Sequence, residues 1–514
     1  MSKRTVVLVI LDGWGVGQPN DFNPIYVVNP SSINYLKANF PSSLLQASGI
    51  SVGLPWGEEG NSEVGHLNLG AGKIIYQYYP RISLSIRDAS FFENKALRGA
   101  FEHAKKNNSS VNIIGLLGQG NVHSSLEHLS ALIEFAKKEN ITKLNLHLFT
   151  DGRDSPPEST LELLSQIPKE KLASLSGRFY AMDREAHWER TQKAYSVLIG
   201  EGEVVSNIEA HIKETYSRKL SDEFVEPIKT KADGEIKNND ALIFFNFRED
   251  RIRQLAAAFI NKNFTNFPVK SFNNMHIATM TEYDNEFKVP IAYPPEKIGV
   301  CLSKILSDNE KTQLRIAETQ KYPHITYFFN GLKEEPFKNE YRVLIPSRTI
   351  IRQDEHPEMM AQEITTRAIE SIGEKAFDFI LINYANPDII AHTGNYEACL
   401  QAVKIMDKQI EKVVKTALEA DAVLIITSDH GNMEKVIEPL TGLMETQHDL
   451  SPVPIYIVAK EFMKQRTEAE IRQSEKETIG ILADVAPTIL ELMGINKPEE
   501  MTGQSLLKSL VANP

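Results

Sequence analysis

The chain has 514 residues, 42% hydrophobic and 24% charged, a composition that excludes a disordered, fibrous or membrane-embedded protein and predicts two or more globular domains. A net charge of -12 excludes a surface built to displace counterions from nucleic acid, while leaving room for a locally basic pocket. With only Cys301 and Cys399, neither in a metal-type spacing, a disulfide framework is excluded and a reducing, cytoplasmic setting is expected.

The first element is the apolar run of TVVLVILDGWG. Lys3 and Arg4 precede it as in a signal peptide, but the run is short and Asp12 ends it. No apolar stretch reaches the ~20 residues of a membrane helix, so no membrane is expected as a partner. A glycine-rich loop follows, GEEGNSEVGHLNLGAG, with Ser62 among Gly57, Gly60, Gly65, Gly70 and Gly72. Next come the strand VNIIGLLG, a helix over 126–139, and the strands of LNLHLFTDGRD and DALIFFNFRED. The last third holds helices over 358–372 and 396–419 and the strands of FDFILINYANPD and AVLIITSDHGN. Apolar runs that end in acidic or polar clusters, alternating with helices, predict buried parallel strands and an α/β fold. Three such strands lie at the two chain ends, which predicts one domain from residues 1–76 and 312–514 and an inserted α/β domain over 77–311. Linkers are expected at 75–80 and 294–311.

Ligands gather at the carboxyl ends of parallel strands, where Asp12, Asp388 and Asp429 fall. With His392, His430 and His448 they make three carboxylates and three imidazoles, enough for two metal ions. That donor set suits manganese or zinc better than calcium or magnesium. One such residue alone is an ordinary cap or turn former. Six at one sheet edge are costly to bury without cations. Ser62 is a poor nucleophile unless a base or metal lowers its pKa, which two nearby cations would do. The glycines around it bring backbone amides close to a ligand.

A basic set comprises Arg153, Arg184, Arg190, Arg248, Arg251 and Lys321, suited to hold a small acidic metabolite by bidentate contacts. Arg248 and Arg251, three apart, are expected to share a helix face. His123 and Asp154 follow strands of the inserted segment, where either is placed to move substrate hydroxyl protons.

LDGWG, GNSEVGHLNLGAG, GLLGQGNVHS, DGRDSPP, AMDRE, WER, DRIRQL, EYD, KYPHITYFFNG, NPDIIAHTGN, SDHGN and HDLSPVP occur in one order along the chain. Together they resemble the cofactor-independent (2,3-bisphosphoglycerate-independent) phosphoglycerate mutases of the alkaline phosphatase superfamily. SDHGN and AHTGN belong to the wider superfamily, and GNSEVGH is more diagnostic of the mutases. The resemblance implies an alkaline-phosphatase-like parallel-sheet domain built from both chain ends, with an inserted transferase domain. It implies one metal on Asp388, His392 and His448 and another on Asp12, Ser62, Asp429 and His430, usually manganese, with no bisphosphoglycerate required. It also implies substrate contacts from His123, Arg153, Asp154, Arg184, Arg190, Arg248, Arg251 and Lys321.

The implied reaction passes the phosphoryl group of 3-phosphoglycerate to Ser62, holds glycerate while it reorients, and returns the group to give 2-phosphoglycerate. Water exclusion and domain closure are expected to accompany it. The resemblance also implies a monomer. A metal-dependent phosphomonoesterase is the alternative within the superfamily. The chain departs from the usual pattern at Gln320, which stands where a glutamate usually precedes the lysine, and at Glu58, Glu59 and Glu249.

Overall fold

The computed structural model describes residues 4–438 and 440–512. Among these, fourteen strands run in chain order: β1 (Val6–Leu11), β2 (Ser42–Gln46), β3 (Val111–Leu117), β4 (Leu144–Thr150), β5 (Leu172–Gly177), β6 (Ile228–Lys229), β7 (Ala241–Phe244), β8 (His276–Thr279), β9 (Gln313–Glu318), β10 (Glu340–Ile345), β11 (Phe379–Tyr384), β12 (Val423–Thr427), β13 (Val453–Val458) and β14 (Thr478–Ile481). The chain divides into two compact units. One combines the residues up to Gln77 with those from Lys297 onward, and the other is Tyr78–Glu296.

The first unit holds an eight-stranded sheet in the order β10-β9-β11-β1-β12-β13-β2-β14. Its strands are parallel except for β13, which runs opposite to both neighbours. In β1, VVLVIL, all six residues are buried. Because side chains alternate across a strand, Val7, Val9 and Leu11 enter one core while Val6, Leu8 and Ile10 enter the core on the opposite face. Helices such as Ala361–Glu374 and Tyr396–Ala420 cover the first of these faces with their apolar stripes. The central strands end together, with Leu11 opposite Tyr384 and Ile10 opposite Thr427, so the residues that follow β1, β11 and β12 open onto one edge.

The second unit holds a six-stranded sheet in the order β6-β5-β4-β3-β7-β8, parallel except for β6. It too has a core on each face: Ile113 and Leu117 of β3 enter one, Ile114 and Leu116 the other.

The second division falls at 296/297, whereas the sequence pattern placed it at 311/312. The reason is the helix Leu302–Asp308, whose Leu302, Ile305 and Leu306 pack into the core of the first unit. The tract 294–311, expected as a linker, is therefore partly core.

Candidate active site

In the first unit, Asp12 directly follows β1, Asp429 and His430 follow β12, and Asp388 lies in the helix Asn386–Ala391 just beyond β11. That helix places His392 one turn after Asp388, with Nε2 3.2 Å from Asp388 Oδ1. His448 precedes β13 and brings its Nε2 to 3.3 Å from the same Oδ1 and 3.0 Å from His392 Nε2. These three form a partly exposed cluster of metal-type ligands. Deeper, two fully buried clusters share Asp12: one with Asp388 and His430, the other with Asp429 and His66. The turn that brings Asp12 in needs a glycine after it, since Gly13 has φ +72° and a Cβ there would stand 2.8 Å from the Asp388 backbone.

Second contacts fix the imidazole tautomers. Nδ1 of His392 meets the Thr446 carbonyl at 2.7 Å, Nδ1 of His448 the Gly60 carbonyl at 2.7 Å, and Nδ1 of His430 the Gly431 carbonyl at 3.2 Å. With Nδ1 held as a donor, Nε2 is the nitrogen that a cation would take in place of a proton. Asp429 Oδ2 is buried and accepts no hydrogen bond, although Gly13 N donates to its other oxygen at 3.1 Å. An unsatisfied buried carboxylate oxygen facing imidazole nitrogens is what a divalent ion would complete, so the residues present fit such an ion.

Ser62 opens the helix Ser62–Ala71, whose N-cap is Asn61, so the serine sits at the positive end of the helix without serving as its cap. Its Oγ donates to Asp12 Oδ1 at 3.0 Å and lies 2.9 Å from His430 Nε2. Lys321 Nζ donates to Ser62 Oγ at 2.7 Å and to Asp12 Oδ1 and Asp388 Oδ2 at 2.6 Å each. Lys321 thus stands among the candidate metal ligands of the first unit, just beyond β9. Burial would push the Asp12 and Asp388 carboxyls up, but the Lys321 ammonium and neighbouring imidazoles hold both well below the usual carboxylate range. Lys321 is raised in return, its burial outweighed by Asp12, Asp388 and Asp429. His430 is likewise raised to about 9 against its burial, first by Asp429.

The second unit repeats the strand-end arrangement with the opposite charge. His123 follows β3, Arg153 and Asp154 follow β4, and Arg248 and Arg251 follow β7. Arg184 and Arg190 lie after the short helix Arg178–Ala181 at the end of β5. His123 Nε2 is 3.9 Å from Asp154 Oδ2, and its Nδ1 is 3.6 Å from Asp250 Oδ1. Burial and then the Arg178 guanidinium lower His123 to about 4, so its ring is neutral at pH 7. Arg184 donates to Asp250 Oδ2 at 2.7 Å, Arg248 reaches the same oxygen at 3.2 Å, and Arg190 meets Asp183 at 3.3 Å. Arg153 faces Glu223 at 3.6 Å. Arg251 is lowered by burial and by the like charges of Arg184, Arg178 and Arg153, so these guanidinium groups crowd one another. Arg248 and Arg251 precede the helix Arg253–Ile260, so they share a turn and not the helix face expected from their spacing.

Three site residues escaped the sequence reading. His66, one turn after Ser62 on the same helix, brings Nδ1 to 2.8 Å from the Ser62 carbonyl and 3.1 Å from Asp429 Oδ2; its i, i+4 spacing was the available signal. Asn383 on β11 donates to Asp12 Oδ2 at 2.7 Å. Arg178, buried at the end of β5, donates from Nη1 to Asp151 at 2.5 Å and to Asp154 at 2.6 Å. The serines of LASLSG hide that strand, and with it the arginine that follows.

A model of the metalloenzyme superfamily matches residues 4–497. The 2,3-bisphosphoglycerate-independent phosphoglycerate mutase of Clostridium botulinum (strain Langeland) is 43% identical, covering 99% of this chain and 100% of that protein. The enzyme of the same name from Clostridioides difficile (strain 630) is also 43% identical, with 99% and 100% covered. Among solved structures, a Leishmania mexicana phosphoglycerate mutase at low cobalt concentration aligns with a TM-score of 0.52 at 27% identity over 98% of both chains.

Proposed function

We propose, because this chain belongs to the metalloenzyme superfamily and within it to the 2,3-bisphosphoglycerate-independent phosphoglycerate mutases, that it interconverts 3-phosphoglycerate and 2-phosphoglycerate through a phosphoserine at Ser62. The observation that carries the serine assignment is its setting: Oγ at a helix N-terminus, donating to Asp12 and accepting from Lys321. Two divalent ions, of the kind that is usually manganese in this family, would be held by Asp388, His392 and His448 and by Asp12, Ser62, Asp429 and His430, and no bisphosphoglycerate is required. When bound, they supply positive charge to the transferring phosphoryl group and lower the pKa of the serine hydroxyl.

Ser62 Oγ forms the new bond to phosphorus while the ester bond to the glycerate oxygen breaks. The helix N-terminus and the Lys321 ammonium stabilise the charge that gathers on the phosphoryl oxygens. The proton that Ser62 Oγ gives up is the one the leaving glycerate oxygen takes, with the neutral His123, beside Asp154, accepting and passing it on. Arg153, Arg184, Arg190, Arg248 and Arg251 retain the glycerate anion, Lys321 contacts the phosphoryl end, and the other hydroxyl then takes the group back from Ser62. The two cysteines are buried thiols, and no helix of the described residues is long and apolar enough to cross a membrane. Buried free thiols accord with a reducing, cytoplasmic setting, and the chain acts there, on this reading, as a monomer on a free small molecule.

The test is conversion of 3-phosphoglycerate by the manganese-loaded chain without bisphosphoglycerate. Accumulation of 2-phosphoglycerate to equilibrium supports the reading. Inorganic phosphate as the main product would mark a phosphomonoesterase instead.

A further inference from the structure

The loop that carries Asp12 and the loop that carries Asp429 and His430 meet around a carboxyl group that the chemistry above leaves unused. Glu434 is 2% exposed, and its Oε2 accepts hydrogen bonds from Gly15 N at 2.8 Å and from Asn432 N at 2.9 Å. Its Oε1 is buried without a hydrogen bond, and burial pushes the carboxyl up to about 7. Glycines on both loops make the space: a Cβ at Gly15 would fall 2.3 Å from the Glu434 carboxyl, and one at Gly431 would fall 2.2 Å from Oε1. The same loops are tied nearer the ligands by Met433 N to Gly13 O at 2.9 Å and Trp14 N to Ser428 Oγ at 2.9 Å. The Asn432 side chain extends the link to Asp388 Oδ1 at 2.8 Å. A backbone N–H buried without water needs an acceptor, and here one oxygen serves two such groups from two different loops.

We propose that Glu434 is a positioning residue whose carboxyl clamps the loop after β1 to the loop after β12 and so sets the spacing of Asp12 against Asp429 and His430. The clamp rests on the reading of those residues as holders of a metal ion. A buried side chain that only supports the fold lowers thermal stability and leaves metal uptake alone; a clamp sets metal uptake, because ligand geometry follows the partners behind the ligands.

Manganese is titrated calorimetrically into the metal-stripped full-length chain, and bound manganese is counted by elemental analysis after gel filtration. The parent is expected to hold two ions. Glu434→Ala is expected to keep one with the parent's affinity and to bind the other roughly 10–100-fold more weakly. Gly15→Ala, which displaces the same carboxyl, is expected to act alike. Glu434→Gln keeps an oxygen for both N–H groups and is expected to restore the second ion. Two ions at parental affinity in both Glu434→Ala and Gly15→Ala overturn the clamp while leaving the metal reading intact, whatever the melting temperatures do. A parent that takes up no manganese overturns both. Should Glu434→Ala fail to fold, Gly15→Ala and Glu434→Gln decide by the same outcomes.

Discussion

Each unit ends its central parallel strands in a cluster of ionisable side chains, yet the two clusters have opposite character. In the first, Asp12, Asp388 and Asp429 are buried against imidazoles and a single ammonium, and His430 is raised to about 9. In the second, guanidinium groups from Arg178, Arg184, Arg248 and Arg251 surround a few carboxylates, and His123 is lowered to about 4. The scaffold does not decide this, because both are mostly parallel sheets with an apolar core on each face. The handful of residues after each strand decides it, so one edge gathers carboxylates and imidazoles and the other gathers guanidinium groups, the contrast on which the proposed division between metal and substrate rests.

The largest break in that contrast should come from Ser62→Ala. Loss of kcat on the order of 10⁴-fold or more is expected, with the rest of the ligand set and substrate binding retained, as measured by steady-state kinetics and calorimetry. Exhaustive chelation should abolish turnover to a similar extent, and manganese should restore it; unchanged activity in the stripped protein would erase the distinction between the clusters. Arg251→Ala, in the second unit, should act mainly on binding, raising KM roughly 10²-fold. A fall in kcat as large as that of Ser62→Ala with KM unchanged would mean that the guanidinium cluster does more than hold substrate.

The last effect concerns stability and leaves turnover at neutral pH unchanged. His128 and His147, buried in the second unit, are pushed by burial to about 3, far below the ordinary 6.5. Unfolded imidazoles bind protons that the folded ones refuse, so this contribution is fully present above pH 6.5 and is lost as pH falls toward 3. At ~1.4 kcal/mol per pKa unit, denaturant unfolding should lose several kcal/mol over that window. Replacing His147 with Gln should flatten part of the slope, and an identical slope in the variant would contradict the cause given.

The central strands were legible because apolar runs that end in acidic or polar residues have few other readings: VVLVIL runs into Asp12, ALIFF into Asn246, FILI into Asn383 and AVLII into Thr427-Ser428-Asp429, while β3 and β4, interrupted by Asn112, Asn145 and His147, still end in polar loops. The edge strands were not: LASLSG of β5 is broken by two serines and a glycine, and β13 runs antiparallel without any local sign of it. The strand-end acids Asp12, Asp388 and Asp429 were legible by position. Lys321 was not, since its partner Asp12 lies 309 residues away and nothing local says which anions an ammonium will meet. Glu434 reads as an ordinary polar residue until the Gly15 backbone is seen to reach it.

The central claim is that Ser62, at the cation-attracting edge, carries the phosphoryl group while the second unit keeps the glycerate. Acid quenching of the manganese-loaded chain during turnover of 3-phosphoglycerate, followed by peptide mass mapping, tests it directly. The predicted result is one phosphoryl group on the peptide containing Ser62, absent from Ser62→Ala. A phosphoryl group on a histidine or on another serine, with turnover intact, would contradict it.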